Sequence, residues 1–170
     1  MAIQSIILDT STLILLAKTD LLQIWVSSVH ALIPEVVRRE ATVKPDVYDA
    51  QLIGRLVKDG KIHVERDRSF HEFAKGIEKQ FRLGAGESAA LALAKEKQCV
   101  LATDDGVAIK AAKILEIPFI TSLHIFAVLW DEGRLDARTA LAKLDLLETF
   151  GRYGALLIDD VRARIKKGRG

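Results

Sequence analysis

Cysteine is almost missing from this chain: of 170 residues, only Cys99 carries a thiol. One thiol excludes an internal disulfide and any cysteine-based zinc site, and its place in an apolar, strand-like run suits a buried, inert side chain. A strong charge of either sign is also lacking. Against 25 lysines and arginines stand 23 acids, a net charge of +2 and a pI near 8.7, too mild to force a nucleic-acid reading from composition. No apolar run approaches the roughly 20 residues that a membrane span needs. The opening "MAIQSIILDT" shows neither the basic region nor the cleavage site of a secretory leader. A soluble cytoplasmic protein without a membrane partner is therefore expected. Repeats, linkers and low-complexity segments are absent, and no phosphate-cradling glycine loop follows the first strand-like run, which counts against a nucleotide-binding domain. His30, His63, His71 and His124 show no metal-ligand spacing.

What the chain has is apolar material: 49% of its residues are hydrophobic, enough at this length for one compact domain with a real core. Its basic excess is uneven. Arg162, Arg164, Lys166, Lys167 and Arg169 crowd the C-terminal end, and Arg38 and Arg39 are adjacent. Such runs usually form solvated faces, and they also hold phosphates.

Strand and helix signals alternate. The continuous apolar run "SIIL" (5–8) reads as a strand buried on both faces. "HALI" (30–33), "KIHVE" (61–65), "CVLAT" (99–103) and "PFI" (118–120) read as further strands. Between them lie helical patterns: "LILLAK" after Asp9–Thr12, a short helix opened by Pro34, then 46–58, about 69–80, 87–97 and 105–115. The glycines of "RLGAG" mark a loop. Helices near 122–131, 136–148 and 156–166 close the chain. Trp25 and Trp130 fit helix packing better than base stacking. Leu141, Leu144 and Leu147–Phe150 recur at helical spacing and either cover the core or dock a partner helix or second subunit.

Alternating strands and helices predict a parallel sheet covered by helices on both faces, where ligands bind beyond the C-terminal strand ends. Asp9 follows the first strand, and Asp104 and Asp105 follow the strand at 99–103. Glu87 joins them by arithmetic. A helix over 87–97 runs roughly 16 Å out at 1.5 Å per residue, and the strand over 99–103 returns about as far. Each acid alone has a structural explanation: Asp9 and Asp105 as helix caps, Glu87 as a first-turn acid. Together at one sheet edge they raise one another's pKa and strain a metal-free fold, a cost that a divalent cation removes. Oxygen-only donors favour Mg²⁺ or Mn²⁺ over zinc, with Thr10, Ser11 and Thr103 able to orient the ligands.

The segments "IILDTSTLILLAK", "IPEVVRREA", "LGAGESAALALA" and "VLATDDGVAIKAAKILEIPFITS", in this order, resemble a PIN-domain protein. The likeness covers most of residues 3–132 and is strongest to the branch related to VapC-type toxins of VapBC toxin–antitoxin pairs. It implies a three-layer α/β/α sandwich with a short, mostly parallel sheet. Residues 1–132 would form the nuclease domain and 133–170 a C-terminal helical extension packed on it. The implied activity is Mg²⁺- or Mn²⁺-dependent hydrolysis of RNA by a homodimer held in check by an antitoxin protein. Catalytic acids carry over to Asp9, Glu40, Glu87 and Asp105; for the metal, Asp9 and Glu87 are joined by the aspartates after Thr103, Asp105 preferred and Asp104 close behind. Glu35 competes with Glu40, but its position after Pro34 is explained as a first-turn acid. Arg38, Arg39, Arg82 and Lys110, with the C-terminal cluster, are the candidates for contacting RNA.

Overall fold

The computed structural model describes residues 5–66 and 68–169. The first positions of the PIN-like stretch, 3 and 4, and the outer ends of the two expected units lie outside the described residues.

Five strands form one parallel sheet in the order β3-β2-β1-β4-β5: β1 Ser5–Leu8, β2 His30–Pro34, β3 Ile62–Glu65, β4 Val100–Ala102 and β5 Phe119–Ile120. Central β1 pairs Ile7 with Leu32 on one side and with Leu101 on the other. Because successive side chains on a strand point to opposite faces, β1 feeds two cores. Ile6 and Leu8 enter one cluster, while Ile7 enters the other with Leu32 and Leu101.

Helices α1 (Thr10–Lys18), α2 (Leu21–Trp25), α4 (Tyr48–Lys58) and α8 (Ser122–Asp131) cover the first face. Helices α5 (His71–Phe81), α6 (Ala85–Lys97) and α7 (Gly106–Ile114) cover the second. Short α3 (Glu35–Ala41) straddles the edge, with Val37 in one cluster and Val36 against the other. The chain is thus a three-layer α/β/α sandwich. The last helices, α9 (Ala137–Phe150) and α10 (Ala155–Lys167), add to the first layer: Leu144, Leu147, Ile158 and Ile165 share a core cluster with Ile6 and Leu8. Trp25 and Trp130 are buried in that cluster too.

Three local readings change. Pro34 ends β2 and caps α3 from outside with extended backbone instead of opening the helix. Helix α6 begins at Ala85, so Gly86 is helical and not a loop residue. Cys99 is only partly buried, its thiol donating to the Lys97 carbonyl at 3.3 Å. The C-terminal cations are largely occupied by their own fold. Arg162 pairs with Asp145, Glu148 and Asp159, Arg164 with Asp131, and Arg169 lies 4.0 Å from the Trp130 ring centroid.

Candidate functional site

Asp9 follows the last residue of β1 and has no solvent exposure. Its backbone N–H continues the ladder to the Ala102 carbonyl at 3.2 Å, which fixes the residue between the ends of β1 and β4. One carboxylate oxygen caps α1, accepting from the Thr12 N–H at 2.8 Å and the Ser11 hydroxyl at 3.1 Å. The other accepts from the Thr103 hydroxyl at 2.5 Å. These bonds favour the ionised form, and Glu87 disfavours it. Burial, the largest effect, outweighs the hydrogen bonds and pushes the pKa up to about 6. Thr103 also accepts the Asp105 N–H at 3.3 Å, so one hydroxyl ties Asp9 to the turn that carries the aspartate pair.

Glu40 comes from the last turn of α3 and accepts from the Thr10 hydroxyl at 2.5 Å. The approach depends on Gly86. A Cβ there would sit 3.1 Å from the Glu40 carboxyl carbon and closer still to its Oε2 and to Thr10 Oγ1. Glu87, next in the first turn of α6, is half-buried. Burial first, then Glu40 and Asp105, hold its pKa above the ordinary carboxylate range. The structure therefore brings Glu87 within electrostatic reach of Asp9, Glu40 and Asp105.

The adjacent aspartates do different work. Asp105 caps α7, one oxygen accepting from the Val107 and Ala108 N–H groups at 2.9 and 2.8 Å. Asp104 turns the other way. It accepts from Thr12 Oγ1 at 2.9 Å, from the Ser122 N–H at 3.1 Å, from Ser122 Oγ at 2.5 Å and from the Tyr153 hydroxyl. Tyr153 in turn accepts the Leu123 N–H at 3.2 Å, and its pKa is driven upward by burial and by the Asp104 charge. Gly151 makes room for its ring, since a Cβ would meet Tyr153 Cε2 at 2.7 Å and the Leu147 carbonyl at 2.5 Å. An open cleft of about 510 Å³ lies beside Ser11, Asp104, Asp105, Gly106, Phe150 and Tyr153.

Thr12, Gly86, Ser122 and Tyr153 were not anticipated. Ser122 was within reach, because it follows β5 as Asp9 follows β1. Gly86 sits in a sequence that reads as a loop but is helical in the fold. Nothing local to Tyr153 announces a partner 49 positions away.

Among the described residues, no three His, Cys, Asp or Glu side chains close on one point as a finished metal cage. Glu40 and Asp104 point their oxygens at hydroxyls of the protein. The donor chemistry nevertheless fits a hard divalent cation: oxygen only, mutually repelling, with one carboxylate buried and destabilised in its ionised form. The proposed RNA contacts are scattered. Arg38 is paired with Glu35 through two hydrogen bonds, while Arg39, Arg82 and Lys110 are exposed on α3, after α5 and on α7.

A parallel α/β/α sandwich with acids gathered past its central strands defines a class of open-sheet domain with its site at the C-terminal strand edge. More particularly, the PIN-domain family model matches residues 5–166, and the chain belongs to that family, whose members are generally nucleases. The match extends through α9 and most of α10. No curated protein matches the chain.

Proposed function

We propose that this PIN domain is a ribonuclease that hydrolyses RNA phosphodiester bonds with Mg²⁺ or Mn²⁺. The observation that carries the reading is Asp9, a wholly buried carboxylate at the end of the central strand, whose proton affinity is raised by burial and by Glu87, a half-buried acid that itself feels the charges of Glu40 and Asp105. Asp9, Glu87 and Asp105 would hold the cation, with Glu40 across the site as a further ligand or a base acting through water. Asp104 is a less direct ligand because Ser122, Thr12 and Tyr153 already occupy it. Thr103, Ser11 and Thr10 orient the carboxylates that they touch. When bound, the metal ion supplies Lewis acidity toward the phosphate and lowers the pKa of water. Arg38, Arg39, Arg82 and Lys110 offset the acidic edge's repulsion of RNA.

The biological role that goes with this chemistry is the toxin of a VapBC-type pair, a cytoplasmic homodimer neutralised by a cognate antitoxin. A neighbouring small reading frame for a DNA-binding antitoxin, whose co-expression relieves growth arrest, tests that role. The catalytic reading is tested by incubating a mixed RNA pool with the protein, with and without Mn²⁺, alongside Asp9→Asn. Cleavage by wild type alone, and only with metal, is expected; equal rates for the two proteins sink the assignment. A second reading, a PIN-like binding module with little catalysis, is favoured by the hydrogen-bonded state of Glu40 and Asp104 and by the lack of a closed cage among the described residues. It predicts no thermal shift with Mn²⁺.

A further inference from the structure

Along the same strand edge, away from Asp9, the surface changes sign. Glu35, directly after β2, is matched by Arg38, whose Nε lies 2.9 Å from Oε2 and whose Nη2 meets Oε1. Glu65, the last residue of β3, is paired with Lys97 at 3.1 Å. With both strand-end acids answered, the cations around them set the local charge. Arg66 and Arg68 follow β3, and with His71 and Glu35 they line a cleft of about 400 Å³. His71 also borders an adjoining groove of about 290 Å³ whose walls include Arg39, Lys75 and Glu78. Arg38, Arg39 and Arg66 all act on the Glu35 carboxyl, holding it below the usual range. In sequence Asp67 separates Arg66 from Arg68, so the run itself is net positive by one.

We infer that this cleft, built by Arg66, Arg68 and His71 and continued by Arg39 and Lys75, holds the phosphate backbone of the RNA strand to one side of the scissile bond. The inference rests on the ribonuclease reading and extends it to the substrate path. Guanidinium groups are weakly hydrated planar forks that match phosphate oxygens. Phe70, in the adjoining groove, is only 2% exposed and offers no stacking platform, which leaves the exposed ring of His71 and the stems and guanidinium groups of Arg66 and Arg68 to meet the strand. Parallel strands lie about 4.8 Å apart. The ends of β2 and β3 are thus roughly 5–10 Å from that of β1, the span of a nucleotide or two.

The test measures binding of a fluorescent single-stranded oligoribonucleotide by anisotropy, in chelator to prevent cleavage, across a salt series. Wild type is compared with Arg66→Ala/Arg68→Ala and with Lys58→Ala/Lys61→Ala, an equal charge change placed before β3 at the opposite sheet edge. Each phosphate contact contributes about 0.7 to the slope of log affinity against log salt for single strands. The arginine pair should therefore flatten the slope by about 1.4, and the lysine pair by less than half of that. An unchanged slope, equal flattening by the lysine pair, or no RNA binding by wild type overturns the inference. Mn²⁺-dependent cleavage by wild type is scored separately. Cleavage with an unchanged arginine slope leaves the nuclease and removes the cleft. A flattened slope without cleavage in any metal leaves the cleft and removes the nuclease.

Discussion

Replacing Asp9 with asparagine should change the shape of the stability–pH curve of the metal-free protein. In the native state this carboxyl titrates at about 6, against 3.8 unperturbed, chiefly because it is buried. Between those values the native state binds the proton that the unfolded chain has released, so stability falls as pH rises. The contribution is fully present below about pH 4 and fully lost above about pH 6. A shift of roughly two units corresponds to about 3 kcal/mol. With Asp9 at 0% exposure, solvent screening does not discount it. Asparagine does not ionise and keeps an oxygen for the Thr12 N–H. The assay is urea denaturation in chelator from pH 4 to 8. The difference between variant and wild type isolates Asp9, cancelling groups such as Glu35 and Asp136 whose depressed pKa values make stability fall toward acid. The variant should gain on wild type by up to about 3 kcal/mol between pH 4 and 7. A difference that stays flat across that window refutes the reasoning. Mn²⁺ should then restore wild type above pH 6, by about 2.7 kcal/mol at a hundredfold excess over Kd, and leave the variant unmoved.

Tyr153→Phe removes the hydroxyl that donates to Asp104 and accepts from Leu123; a loss of about 1–3 kcal/mol in urea denaturation is expected, and no loss would mean that the extension is not anchored there. Gly86→Ala meets only the movable ends of Glu40 and Thr10, so Tm should change little while metal-dependent cleavage falls at least tenfold, roughly 1.4 kcal/mol of barrier. Gly106→Ala faces open space at the first position of α7 and should stabilise by about 0.5–1 kcal/mol with cleavage intact; the same outcome at both glycines would deny the close approach at Gly86. Ser88 Oγ is buried with no hydrogen-bond partner among the described residues, so Ser88→Ala should hold or raise stability by about 1 kcal/mol, and a clear loss would reveal an unseen partner.

Most of the strands were legible as short apolar runs, with Ile62–Glu65 a more polar one, and the parallel topology follows from the helices between them. Helix α2 was not, since Leu21–Trp25 is too short to show a period and starts after Asp20 in a left-handed conformation. The placement of Asp9, Glu87, Asp104 and Asp105 at one edge needed only strand ends and element lengths. The division of labour within the aspartate pair was beyond such reasoning: both follow the same strand, and only the tertiary partners Thr12, Ser122 and Tyr153 tell them apart. The C-terminal cations show the reverse error, because a run that looks free in sequence is mostly paired in the fold.

The bonds that define the acidic edge join positions 9 to 103, 10 to 40, and 104 to both 122 and 153. A ribosome making this chain releases Asp9 long before Tyr153. The acids therefore spend most of synthesis as separate carboxylates, unable to act together. A nascent chain that has not yet released Tyr153 carries the ingredients of the site without its last hydrogen bond, and the arrangement is assembled only once that residue is free to fold.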